Sequence, residues 1–276
     1  QLAQWIDAHF NEEVAFLQRE LTDEDFAAGQ SHARRAIAAA QRLDPRDPVI
    51  AWHAYSMCTP AYGCDQDQAA AVLARVDPGN TWTWIRVADA AHARGDSVGV
   101  EQALARAADS EFTRTYFGQT ALLVVDQLGD LPVSAGCAGM LRRLGQDLAV
   151  DRDAEPSDLT SAQASTIAAA MALPSFGGVL GTCAPKHASS GRNKARCMAL
   201  FKRVAEGDTL MEQYVALSRL VQYTAGQRDG AQWRDRYRNL KWLLEQSRAR
   251  QLWGRGPVEE LWVQGEVPGL QARLKV

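Results

Sequence analysis

The residues most able to do chemistry are five cysteines, five histidines and a few close-set carboxylates. Cys58 and Cys64 flank the turn Thr59-Pro60-Ala61-Tyr62-Gly63, and Cys183 and Cys197 flank a loop rich in Pro, Gly and Ser. Each pair can close a local loop as a disulfide, a bond that persists in oxidising compartments. Cys137 is left over. The nearest approach to a metal site is Cys183-x3-His187-x9-Cys197. Zinc takes four well-placed ligands, commonly delivered as CxxC-type clips. Three ligands at this spacing fit a disulfide with a solvated His187 better, so no metal and no cofactor is expected.

The histidines are His9, His32, His53, His92 and His187, and none stands beside an evident Ser or Cys nucleophile. Asp7 and Glu13 near His9, and Asp89 near His92, are spaced as acid–base pairs; ion pairs on a helix surface account for the same spacing. Glu12-Glu13 and Asp23-Glu24-Asp25 could act on a glycosidic bond only if they faced each other across a cleft. The second cluster reads as the acidic start of a helix. No GxxxxGK[ST], GxGxxG, HExxH or GxSxG motif occurs, so the expectation is a protein without catalytic residues.

Gln232–Trp242 interleaves cations with aromatics, a pattern that could bind phosphates and stack bases. At helical spacing, Trp233, Tyr237, Leu240 and Leu244 form one stripe, while Arg234, Arg238 and Lys241 share another face. That is an amphipathic helix with a basic exposed side. A pI near 6.0 argues against nucleic acid. A solvated face accounts for the basic side by itself; if it binds anything, a protein partner at Arg234, Arg238 and Lys241 is expected ahead of nucleic acid.

These residues must be positioned by helices, because apolar residues recur with helical period between repeated breakers. Helices are expected at about 2–21, 23–43, 49–57, 65–76, 81–94, 97–108, 113–128, 133–150, 159–173, 193–205, 209–225 and 230–250. Short turns packed by Trp253 and Trp262 follow, and 174–191 is read as a loop. In Thr81–Phe112, Trp84, Val87, Ala88 and Ala91 fall on one packing face. Gly95-Asp96 makes a tight turn, and Val100, Leu104 and Ala107 pack back. Pro45 and Pro78 are 33 residues apart, and Phe112 lies 34 further on. This segment resembles a tetratricopeptide repeat, whose helix-turn-helix period is 34 residues. The Cys58–Cys64 insertion departs from that family's turn. The resemblance implies an all-α right-handed superhelix of antiparallel helix pairs, here continued by a C-terminal helical bundle. It also implies that Trp82, Ile85, Asp89 and His92 face a concave groove, with Trp82, Asp89 and His92 as partner contacts.

Two regions are expected, 1–150 and 151–276, meeting at the polar stretch Asp151–Asp158, and charge divides the chain further along. Residues 1–185 hold 13 basic and 24 acidic groups, net −11; residues 186–276 hold 17 and 9, net +8. Of 30 basic residues, 25 are Arg and five are Lys, which with abundant alanine suits a GC-rich bacterial genome. No apolar run reaches the roughly 18 residues that a membrane helix needs. The chain opens on Gln1 without a basic and apolar leader, as a processed or trimmed chain would, and a lipid anchor upstream of residue 1 is compatible with it. The expectation is a non-enzymatic helical scaffold for a protein partner, in the periplasm or at the outer membrane of a Gram-negative bacterium, with a cytoplasmic location left open. Two alternatives stand beside it. One is an immunity or inhibitor protein against a secreted toxin or cell-wall hydrolase. The other is an enzyme with a carboxylate-lined cleft, using groups such as Glu13.

Overall fold

The computed structural model describes residues 23–58, 63–128, 176–186, 191–250 and 259–275, with Leu252 and a few positions between 161 and 172; the side chains of 23–30 are outside this description. Expected helices 2–21 and 133–150, the stretch Asp151–Asp158, Cys137, His9, His187, Glu12, Glu13 and Trp253 lie outside the described residues.

All regular structure among the described residues is helical, apart from one isolated bridge between Asn80 and Phe112. Local capping explains most boundaries. Helix α1 (Asp23–Leu43) stops before Asp44-Pro45. Helix α2 (Pro48–Ser56) places Pro48 in its first turn, and Asp47 accepts from the N–H groups of Val49 at 2.7 Å and Ile50 at 3.0 Å. Asp65 caps α3 (Gln66–Val76), Asn80 caps α4 (Thr81–Ala93), and Asp96 caps α5 (Ser97–Ala108). Gly95, at φ +73°, makes the α4–α5 turn in a conformation that glycine adopts without strain. Across this hairpin the Arg106 guanidinium lies 4.6 Å from the Trp84 ring.

Two boundaries differ from expectation. Helix α6 (Phe117–Leu128) starts four residues later than Thr113. The Thr81 N–H and hydroxyl both donate to the Phe112 carbonyl, and the Asn80 amide takes the Arg114 N–H and carbonyl, so 112–114 is held extended. Tyr116 then turns at φ +61°. The expected loop 174–191 contains a short helix, α7 (Gly177–Thr182), packed on α4.

The C-terminal helices are α8 (Gly191–Val204), α9 (Leu210–Tyr223), α10 (Ala231–Ala249), α11 (Glu259–Gln264) and α12 (Glu266–Leu274), with a 3-10 turn at Arg228–Gly230. Neighbouring helices pack in the order α1, α2, α3, α4, α5, then α8, α9, α10 and α12, while α6 packs on α11. One apolar core runs through this succession, from Trp52, Leu73, Trp82 and Ile85 to Phe201, Leu217, Leu220, Leu243, Leu261 and Leu270. Residues from both sides of position 150 share it. A second cluster sets Phe117, Ala121 and Trp262 against Ala164, Ala168 and Ala172, a small-residue stripe at spacing four.

Both expected disulfides are present. Cys58 and Cys64 have Cα atoms 5.3 Å apart, and Cys183 and Cys197 have them 5.6 Å apart. The second joins the end of α7 to α8. Among the described residues no helix is long and apolar enough to cross a membrane.

Candidate functional site

Ionisable side chains converge where α4, the α8–α9 loop and α12 meet. Thr209 and Glu212 form a reciprocal capping box at the start of α9: the Thr209 hydroxyl accepts from the Glu212 N–H, and Glu212 Oε2 accepts from the Thr209 N–H at 3.1 Å and hydroxyl at 2.8 Å. Glu212 is fully buried. Its other oxygen accepts from the indole N–H of Trp82, 130 residues earlier. A Cβ at Gly207 would lie 2.6 Å from the Glu212 carboxyl, so glycine is what lets the loop close around it. Burial, then the neighbouring Asp208 carboxylate, pushes Glu212 well above the usual carboxylate range, against the Trp82 and Thr209 hydrogen bonds.

Glu266, at the start of α12, belongs to the same joint. Its N–H donates to the Asp208 carbonyl at 2.9 Å, and its Oε2 accepts from the Leu210 N–H at 2.6 Å. Burial pushes it up to about 7; the Leu210 hydrogen bond opposes this and Asp208 adds to it. Asp208 Oδ1 is buried without a hydrogen-bond partner.

This joint corrects the expected groove. Trp82, expected to be open to a partner, has no exposed surface, since Phe176 before α7 meets its ring edge-on at 5.0 Å and Glu212 of α9 takes its N–H. Ile85 is fully buried too. Asp89 is half-buried against Gly178 of α7 and is pushed up to about 6, by burial first, with Arg86 and His92 opposing. Of the expected groove residues, His92 is exposed. The groove reading fails for Trp82 and Ile85 because α7 and α9 cover that side of α4.

Two further polar clusters serve packing. Asp77 Oδ2 accepts from Asn80 Nδ2 at 2.8 Å, the Thr83 hydroxyl at 3.1 Å and the Tyr116 hydroxyl at 2.8 Å. The Thr120 hydroxyl donates to the Tyr116 carbonyl, so its 2.9 Å link to His53 Nε2 requires the imidazole N–H as donor. That places a proton on Nε2, and burial lowers the His53 pKa and so disfavours a second proton on the ring, with Asp47 opposing.

The basic face of α10 is as the sequence suggested in part. Trp233, Leu240 and Leu243 are buried, and Tyr237 packs partly buried on Tyr214, ring centroids 5.4 Å apart. Arg234, Arg238 and Lys241 are exposed. Arg238 pairs with Asp235 one turn earlier, and Arg236 is drawn off to the Ala205 carbonyl at 2.9 Å. Trp242 is 52% exposed beside them. Arg234 also borders an open groove of about 560 Å³ with Arg228, Val221 and the 225–227 turn.

Cys183 and Cys197 are bonded to each other, which removes both thiolates from a zinc reading. Among the described residues no three His, Cys, Asp or Glu side chains are placed to hold a metal ion. The Asp208–Glu212–Glu266 joint escaped sequence reasoning, although Thr209-x-x-Glu212 carries a capping-box signature. No protein-family model, curated protein or solved structure matches the chain.

Proposed function

We propose that the protein is a non-enzymatic helical scaffold, tetratricopeptide-like in its α4–α5 unit, that binds a protein partner with an acidic surface through α10. The observation that carries this reading is a half-exposed Trp242 set beside Arg234, Arg238 and Lys241 on a helix whose opposite face is locked into the core. Tryptophan and arginine dominate binding energy at protein interfaces, and a row of like charge selects an acidic partner and speeds encounter. His92 and the edge of Asp89 offer a smaller second contact. Two disulfides support an oxidising compartment, and the reading places the chain in the periplasm or envelope of a Gram-negative bacterium. If the partner is a secreted toxin or a cell-wall hydrolase, the same scaffold acts as its inhibitor.

The test is a photo-crosslinking residue at 242, compared with one at the exposed Val98 on α5, in the source organism. The adduct partner is then purified and titrated against R234E/R238E/K241E. The reading expects adducts at 242 and a tenfold or greater loss of affinity on charge reversal. Equal adducts from both sites, or unchanged affinity, would refute it. A second reading, an enzyme, is favoured by the converging Asp208, Glu212 and Glu266. It is the weaker one, because both oxygens of Glu212 are already occupied by Trp82 and Thr209 inside the core.

A further inference from the structure

The joint at the start of α9 holds three carboxyl groups from two segments and a donor from a third. Glu266 spans it twice, through its N–H to the Asp208 carbonyl and through its carboxyl to the Leu210 N–H. Gly265 lies against the same loop, its Cβ position 3.3 Å from the Asp208 carbonyl oxygen, and turns at φ +87°. These contacts attach α12 to α9. The charged neighbours are few. Glu266 meets Asp208; Glu212 meets Asp208, with Trp82 and Thr209 as neutral donors. From α11, Glu260 engages Arg273 at 3.9 Å, seven residues along α12 from Glu266. Among the described residues, no ionisable group of α10 acts on either glutamate.

Asp208 acts on each glutamate as a like charge, among the described residues no cation acts on either, and such charges repel in a medium of low dielectric. One oxygen, Asp208 Oδ1, is buried without a donor. A proton retained in the cluster removes one negative charge and furnishes the donor that this oxygen lacks, as in other carboxyl pairs that share a proton.

We propose that Asp208, Glu212 and Glu266 form a proton-held latch, in which a retained proton fastens the α12 segment to the start of α9 and its loss releases that segment. The raised pKa of Glu266, about 7, places the release near neutrality. The helix N-terminus, which favours negative charge, keeps the released state from unfolding α9 itself.

Hydrogen exchange read by mass spectrometry tests this on the full, oxidised chain between pH 6 and pH 8, with intrinsic exchange rates divided out. Protection of residues 266–274 is expected to fall at least tenfold more than that of α5 over this range. Glu266→Gln keeps an acceptor for Leu210 and cannot ionise, so its protection should not change with pH. Asp208→Asn removes the repelling charge and should flatten the profile independently, which decides the matter if the glutamine variant fails to fold. A wild-type profile without pH dependence would overturn the latch. So would variants that lose protection over the same pH range as the wild type.

Discussion

Replacing Trp82 by Phe removes the indole N–H from the fully buried Glu212 carboxyl while keeping an aromatic ring against Phe176. Leaving a buried acceptor without its donor costs roughly 1–3 kcal/mol. The smaller ring leaves a void worth about 1 kcal/mol more. The expected loss is therefore about 2–4 kcal/mol, read from the midpoint of urea unfolding under two-state conditions. The pH dependence separates the two parts. Glu212 has a folded-state pKa above its unfolded value, so its contribution is fully present below about pH 4.5 and declines as pH rises through the folded pKa. Trp82 favours the charged form, so without it the folded pKa climbs further and the decline runs on to higher pH. The W82F deficit should thus widen with rising pH, whereas a void alone gives a constant deficit. In a double-mutant cycle with Glu212→Gln, the coupling should be about 1 kcal/mol or more above neutrality. A coupling near zero, with a deficit flat in pH, would show that Trp82 acts by volume alone.

Asp89 is also raised, to about 6, so its share of stability is present below about pH 4 and lost as pH rises through about 6. Asp89→Asn should flatten that portion of the stability profile, by roughly 1–3 kcal/mol after allowance for solvent screening, and a profile unchanged from wild type would refute the assignment. Removing the Cys183–Cys197 bond by paired serine substitutions should cost about 3 kcal/mol, and removing Cys58–Cys64 about 2, the smaller loop giving the smaller effect. Thermal unfolding with and without reductant orders the two; the reverse order would mean that native packing, not loop length, sets their worth.

What was legible in the sequence is what local chemistry decides. Asp47, Asp65, Asn80 and Asp96 cap the helices that their side chains begin, and Gly95 makes the turn that only three residues need to agree on. Cys58 and Cys64 could be matched because they sit at the margins of one short loop; Cys183 ends α7 but Cys197 lies inside α8. The face of α10 followed from period alone. Trp82 could not be placed this way, because nothing in Thr81–Ala93 says that Phe176 and Glu212, 94 and 130 positions away, will cover it. Likewise Thr113 has the composition of a helix start, but Asn80 and Thr81 claim the neighbouring backbone first. Glu266 reads as an ordinary acid in a first turn until the α8–α9 loop is set against it.

The succession of helices passes from α5 directly to α8 and leaves out the 82 residues from 109 to 190. A regular repeat array zips from neighbour to neighbour, each new contact closing only a short turn. Here the α5–α8 seam, sealed by Glu101 and Arg196 at 3.7 Å, must wait for a long excursion to return. Closing 82 residues costs about 3 kcal/mol more chain entropy than closing the three-residue α4–α5 turn. The seam is thus expected to close late, after the hairpins on either side of it, as is the α6–α11 contact, whose ends lie 131 positions apart.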